Sequence, residues 1–316
     1  MERLRCAILD DYQNVALSIA DWGAIADRVD VISINRHLSD DELVSIVFDC
    51  AILVAMRERT PFHATLLERL PNLRLLVTSG MRNASIDIAA AAERQVTVCG
   101  TKSFSHPPAE LTWALIFALS RNLHIEADNM RENRWQGTLG KDLAGSTIGL
   151  VGLGKIGQQI ALVANALGMN VMSWSPNLTE ERAARYQTTL VAKEQLFSTS
   201  DIVSLHLVLS SRTVGIIGRT ELGLMKRGSL FINTSRAGLV DNSALYELLC
   251  GKRISAGLDV FDQEPLPPDD PFRNLPNVIA TPHLGYVTER NYSAYYGEAV
   301  EDIHAFLASK PMRVLS

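Results

Sequence analysis

The chain has 316 residues, 47% of them apolar, and its 30 basic and 35 acidic residues leave a net charge of −5. It is too apolar for a disordered chain, gives no electrostatic case for nucleic acid or an anionic membrane surface, and at roughly 150 residues per domain predicts two domains. A membrane span needs about 20 apolar residues, and runs such as Trp113 to Leu119 are far shorter.

The first residues, Met1 to Arg5, run into a strand-like segment with no signal peptide expected before it, which predicts a cytoplasmic protein. Strands are predicted at Arg5–Leu9, Val29–Ile34, Ala51–Ala55, Leu73–Thr78 and Val96–Val98. Ser39-Asp-Asp-Glu42 has the pattern of a capping box. Thr60-Pro61 reads as a helix cap followed by an N1 proline. A long apolar helix is predicted from Pro108 to about Leu123. Strands follow at Thr147–Val151, Asn170–Trp174, Ile202–Leu207, Ser229–Ile232, Ser255–Leu258 and Val278–Ala280, and a last helix from about Thr288. Strands alternating with helices predict parallel sheets and an α/β class. Cys6, Cys50, Cys99 and Cys250 form no C-x-x-C pair and no metal-ligand cluster. They are expected as buried thiols in a reducing compartment, and no metal is expected.

The segment Gly152-Leu-Gly154-Lys155-Ile156-Gly157 carries the spacing G-x-G-x-x-G. It lies between a predicted strand and a predicted helix, and Asn170–Trp174 completes a βαβ unit. That context makes it a dinucleotide site: a tight turn at Gly152, close approach of backbone to pyrophosphate at Gly154, and close helix packing at Gly157. The opening turn, with Lys155 and Ile156, offers unpaired N–H groups and a positive dipole end to the phosphates. At the end of the second strand, where a carboxylate commonly holds the ribose, stands Ser175. No arginine lies beside it, so NAD(H) and NADP(H) both stay open.

Polar residues then follow three apolar strands: Arg236 after Phe231-Ile-Asn, Asp259 and Glu264 after Ala256-Gly-Leu, and His283 after Ala280-Thr-Pro. Ligands of open α/β sheets bind at such strand ends. Arginine can grip a carboxylate bidentately, histidine can exchange a proton near neutral pH, and glutamate can hold its ring.

With these motifs the sequence resembles the D-isomer-specific 2-hydroxyacid dehydrogenases. The resemblance covers nearly the whole chain and is dense from Leu143 to Gly285, through Leu205-His206-Leu, Ile232-Asn233-Thr-Ser-Arg236, Leu258-Asp259-Val-Phe261 and Thr281-Pro-His283. It implies two Rossmann-like lobes: a flavodoxin-like substrate lobe of residues 1–102 plus 286–316, and an inserted NAD(P)-binding lobe of residues 103–285. The active site is then expected in the cleft between them, and a homodimer through the nucleotide lobe. By resemblance Arg236 clamps the substrate, His283 is the acid/base and Glu264 its carboxylate partner. Asp259 lies near the nicotinamide, and His206, Thr234 and Gly285 line the cofactor site. Ser79, Gly80 and Met81 match the loop whose amides receive the substrate carboxylate, and Arg57 is a second anion contact. The implied reaction interconverts a 2-oxoacid and a D-2-hydroxyacid, with a small glyoxylate- or hydroxypyruvate-type substrate expected.

Departures from the family pattern are Ala237 after Arg236, and Pro108-Ala-Glu110-Leu-Thr112 where Val-Ala-Glu-His is usual. The extension of longer phosphoglycerate dehydrogenases is not seen, which argues against that assignment. Glu264 argues against a formate-type reaction. Tyr286 is placed to reach the substrate, and Tyr292, Tyr295 and Tyr296 are expected to pack between lobes. The alternative is a nucleotide-sensing binding protein on the same fold.

Overall fold

A computed structural model describes residues 3–315. The chain divides into two compact units. The first contains the described residues up to Phe104 and those from Val287 onward; the second is Ser105–Tyr286.

In the first unit, β1 (Leu4–Ile8), β2 (Val29–Ser33), β3 (Cys50–Ala55), β4 (Leu75–Thr78) and β5 (Thr97–Gly100) form a parallel sheet in the order β2-β1-β3-β4-β5. This is the flavodoxin-like order. β3 is buried along its whole length, as a central parallel strand covered on both faces should be. Leu53, Phe62, Leu66, Leu76 and Val98 share one core with the C-terminal Leu315. Across the sheet, Tyr296 of the helix Glu289–Leu307 lies against Trp22 with ring centroids 6.4 Å apart, and edge-on to Tyr292 at 5.8 Å.

The capping box forms: the Ser39 and Glu42 side chains exchange hydrogen bonds with each other's backbone N–H at the start of the helix Asp40–Val47. The predicted Thr60-Pro61 cap is corrected. That helix runs Ala64–Glu68 and is capped by His63. Thr60 is instead buried, its hydroxyl donating to Asp10 Oδ2 at 2.7 Å, and Phe62 forms a bridge with Ile86. These non-local partners win over local helix propensity.

The second unit holds β6 (Thr147–Val151), β7 (Asn170–Trp174), β8 (Thr189–Leu190), β9 (Ile202–Leu205), β10 (Leu230–Asn233), β11 (Ser255–Leu258) and β12 (Val278–Ala280). All pair in parallel, in the order β12-β11-β10-β9-β6-β7-β8. The reversal of direction at β6/β9 is the switch point where dinucleotide folds bind their ligand. Two apolar clusters cover the faces, one around Phe197, Phe231 and Leu249, the other around Ile116, Leu150 and Ile160. The long apolar helix is shorter than predicted. It ends at Ser120, because Asn122 turns left-handed (φ 51°) before a second helix, Leu123–Arg131.

Cys6, Cys50 and Cys99 are buried free thiols. Cys250 is exposed at the end of a surface helix, which corrects its expected burial. Among the described residues no helix is long and apolar enough to cross a membrane, and no three His, Cys, Asp or Glu side chains are grouped to hold a metal.

Candidate active site

The glycine motif sits where β6 gives way to the helix Lys155–Ala166. Gly152 has φ +107°, and a side chain there would place its Cβ 2.6 Å from the His206 carbonyl oxygen. A Cβ on Gly157 would run into the Gly152 carbonyl, so this position must be bare for the helix to close on the turn. Gly154 caps the helix and has open space where its Cβ would point. The three glycines thus differ in role: one for dihedral freedom, one for packing, and one that leaves a free approach to the first N–H groups of a three-turn helix. That cradle fits a pyrophosphate.

At the end of β7, Ser175 is half-buried and its carbonyl accepts the Leu178 N–H at 3.1 Å, forming a turn through Pro176-Asn177. His206 follows β9. Its Nε2 lies 2.9 Å from Ser204 Oγ, and its Nδ1 is shut off from solvent without a partner among the described residues. Burial pushes its pKa down to about 3, so the ring is neutral at ordinary pH. Its backbone lies against Gly152.

The strand-end residues are held by an extended set of hydrogen bonds. After β10, Asn233 accepts the Ser235 N–H at 3.0 Å and donates to the Arg236 carbonyl at 3.1 Å, and Ser235 Oγ donates to the Leu205 carbonyl at 2.7 Å. This fixes the backbone that carries Arg236, whose Nη1 donates to the Ser235 carbonyl at 2.7 Å. Thr234 is buried, and its hydroxyl lies 2.7 Å from that of Thr112, which also donates to the Pro108 carbonyl. Sequence reasoning did not single out Thr112 as a site residue. Its one signal is a hydroxyl on an otherwise apolar helix face.

His283 Nδ1 and Glu264 Oε2 are 2.6 Å apart, and the other Glu264 oxygen accepts the Phe261 N–H at 2.9 Å. The carboxylate is therefore oriented by its own loop before it orients the imidazole. The Tyr286 and His283 rings meet in a T-shaped arrangement with centroids 5.6 Å apart. His283 itself has a left-handed backbone (φ 53°), which costs a non-glycine residue about 1–2 kcal/mol. Asp259, fully buried, holds that conformation. Its Oδ1 accepts Thr281 Oγ1 and the Leu284 N–H, both at 2.6 Å, and its Oδ2 accepts the Gly285 N–H at 2.9 Å. Burial raises the Asp259 pKa, and these hydrogen bonds oppose the rise. Asp259 was expected at the nicotinamide. Its contacts within the chain make it a clamp on the loop that carries His283 and Gly285.

In the first unit, Ser79-Gly80-Met81 follows β4. Two of the amides expected to receive a carboxylate are committed elsewhere: Ser79 N–H donates to the Ala55 carbonyl and Gly80 N–H to Thr101 Oγ1, both at 3.1 Å. The Met81 N–H has no acceptor among the described residues. Arg57 lies beside the loop, its N–H on Ser79 Oγ at 2.8 Å and its Nη1 on the Ser79 carbonyl at 3.2 Å. Gly80 (φ +92°) has a backbone conformation that side chains rarely adopt, and a Cβ there would also displace the Arg57 guanidinium. Asn83 joins the two loops by donating to the Arg57 carbonyl at 2.6 Å and to Thr78 Oγ1 at 2.9 Å. It too escaped sequence reasoning, since its partners are 5 and 26 residues away.

A family model described as the NAD binding domain of D-isomer specific 2-hydroxyacid dehydrogenases matches residues 113–285. A hydroxypyruvate reductase from Thermotoga maritima is 37% identical, over 85% of this chain and 89% of the relative. A D-3-phosphoglycerate dehydrogenase from Methanocaldococcus jannaschii is 35% identical over 85% of this chain, but the match spans only 52% of that longer protein. The crystal structure of a phosphoglycerate oxidoreductase from Vibrio cholerae O395 has a TM-score of 0.92 at 38% identity, covering 97% of this chain and 99% of that one.

Proposed function

Because this chain belongs to the D-isomer-specific 2-hydroxyacid dehydrogenase family, NAD(P)-dependent oxidoreductases acting on CH–OH donors, we propose that it reduces a small 2-oxoacid of the glyoxylate or hydroxypyruvate type to the D-2-hydroxyacid. The carrying observation is the 2.6 Å His283–Glu264 pair on a loop clamped by Asp259. A pure nucleotide sensor needs no such acid/base. The similar hydroxypyruvate reductase supports the substrate class.

The Gly152–Gly157 turn would hold the dinucleotide, with Ser175, Thr234 and Gly285 as further residues toward it. When bound, it supplies or accepts the hydride. Arg236 holds the substrate carboxylate and polarises the carbonyl. Protonated His283 donates its Nε2 proton to the oxygen as alkoxide character develops, and in the reverse direction the neutral ring takes that proton back. Glu264 on Nδ1 fixes the ring's orientation. Within the first unit, Met81 N–H and Arg57 offer a seat for a carboxylate. Most of the rate comes from this preorganisation.

We also assign the functional protein as a homodimer through the nucleotide unit. Leu123, Met130, Trp135 and Leu139 of that unit are 53 to 94% exposed, an unusual run of large apolar side chains for a free surface. A cytoplasmic location is consistent with the free thiols.

The test is a panel of glyoxylate, hydroxypyruvate, pyruvate, 3-phosphohydroxypyruvate and larger oxoacids, each with NADH and NADPH. The highest kcat/KM is expected for glyoxylate or hydroxypyruvate. Preference for the phosphorylated substrate overturns the substrate assignment, and tight nucleotide binding without turnover on any member favours the sensor.

A further inference from the structure

The last described residues run along the edge of β5. Gly100 N–H donates to the Arg313 carbonyl at 3.0 Å, Leu315 N–H donates to the Val98 carbonyl at 2.8 Å, and Cys99 and Val314 form an antiparallel bridge between them. An otherwise open sheet edge is thereby paired by one short strand. Leu315 packs into the core of the unit.

Arg313 anchors this strand. Its Nε lies 3.0 Å from Oδ1 of the fully buried Asp302, its Nη1 2.9 Å from Glu301 Oε2, and its Nη2 donates to the Glu298 carbonyl at 2.9 Å. All three acceptors lie on the helix Glu289–Leu307. A planar guanidinium shared among three acceptors of one helix fixes a backbone position, which a single surface ion pair does not. Glu298 also accepts the Lys102 N–H at 2.6 Å, so the helix holds the chain just beyond β5 as well.

The end of β5 touches the substrate loop. A Cβ on Gly100 would lie 2.7 Å from the Gly80 carbonyl oxygen, 3.1 Å from Met81 Cα and 3.2 Å from Leu315 Cδ2. Leu315 and the loop thus both close on Gly100, with no room between them for a side chain. Thr101, the next residue, grips the loop at both ends: its N–H donates to the Thr78 carbonyl and its hydroxyl accepts the Gly80 N–H. Interiors are close-packed, so a shift of the terminal strand is passed on rather than absorbed.

We propose that Arg313 and Leu315 are positioning residues for the substrate: the C-terminal strand holds the end of β5 against Gly80-Met81 and so sets the place of the Met81 amide. The inference rests on the reading of that loop as the carboxylate's seat. It concerns binding of the oxoacid alone, because cofactor and acid/base belong to the other unit.

The test uses the full chain, with steady-state kinetics on hydroxypyruvate, NADH titration by fluorescence, and assays held well below each variant's Tm. Arg313→Ala and Leu315→Ala are expected to raise KM for the oxoacid at least tenfold, with kcat and the Kd for NADH within twofold. Loss of binding equal in ground and transition states has this signature. Arg313→Lys, which keeps the charge without the fork, is expected to recover part of the loss, and it carries the same test if an alanine variant does not fold. Gly80→Ala separates the two levels. If it raises KM while the tail variants do not, the positioning role is refuted. If it leaves KM unchanged, the carboxylate seat itself is wrong. A parallel rise in KM and in the Kd for NADH signals general loosening and refutes the proposal as well.

Discussion

Replacing Asp259 by Asn tests whether the reacting histidine depends on a buried carboxylate that never touches it. Three donors converge on Asp259: Thr281 Oγ1, Leu284 N–H and Gly285 N–H. An asparagine offers one acceptor oxygen, and its NH2 faces N–H groups that can only donate. At least one and as many as two of the three bonds are lost. Hydrogen bonds to a charged group are worth about 1.5–3 kcal/mol each, so the loop loses on the order of 2–6 kcal/mol. The left-handed backbone of His283 holds about 1–2 kcal/mol of strain that those bonds offset. With the surplus removed, the loop leaves the productive geometry for most of the time. We expect kcat for oxoacid reduction to fall roughly 100-fold, about 2.7 kcal/mol, while the isolated substrate loop of the other unit is untouched. The assay is single-turnover reduction at saturating NADH and oxoacid, with the Tm as a control. A kcat within threefold of wild type refutes the clamp.

Two further predictions follow from the same structure. Ser175→Asp restores a carboxylate at the ribose end of β7 and is expected to shift the ratio of kcat/KM values toward NADH over NADPH by at least tenfold, about 1.4 kcal/mol; an unchanged ratio means that Ser175 does not face the ribose. Burial raises the Asp302 pKa to about 7 from 3.8, so the folded state holds this proton more tightly than the unfolded chain and stability falls as pH rises from about 4 to about 7. Asp302→Asn removes that dependence, and the Tm of the variant relative to wild type should climb between pH 5 and pH 8, with a ceiling of about 4 kcal/mol. A constant or falling difference refutes it.

What could be read without the structure was whatever depends on neighbours in the chain. The Gly152–Gly157 turn is legible because its strand, glycines and helix are contiguous, and the capping box at Ser39 because both partners lie within one helical turn. The pairing of Glu264 with His283 is legible because each follows an apolar strand, and the two lie 2.6 Å apart. The failures lie where a distant group decides. Thr60 looks like a cap until Asp10, 50 residues away, takes its hydroxyl. The amides of Ser79 and Gly80 look available until Ala55 and Thr101 are seen to hold them. The place of Asp259 after a strand says nothing of its three donors, Thr281 Oγ1 and the N–H groups of Leu284 and Gly285, which lie 22 to 26 residues away. The terminal strand at Arg313–Leu315 has no periodicity to announce it, since two hydrogen bonds to β5 are its whole secondary structure.

The division of the first unit into two stretches of sequence has a consequence for the order of assembly on the ribosome. Its five strands are all made by Gly100, yet the helix Glu289–Leu307 that packs on Trp22, and Leu315 that packs against its core, come only after the whole second unit. At about 5–20 residues per second, the intervening stretch keeps the nascent sheet waiting on the order of ten to forty seconds. During that interval the edge of β5 lacks its terminal partner and the site of Tyr296 is bare. The contiguous nucleotide unit suffers no such delay and is free to fold as it emerges. Nascent chains arrested before Val287 should therefore present the first unit, rather than the second, to chaperones that recognise apolar surface.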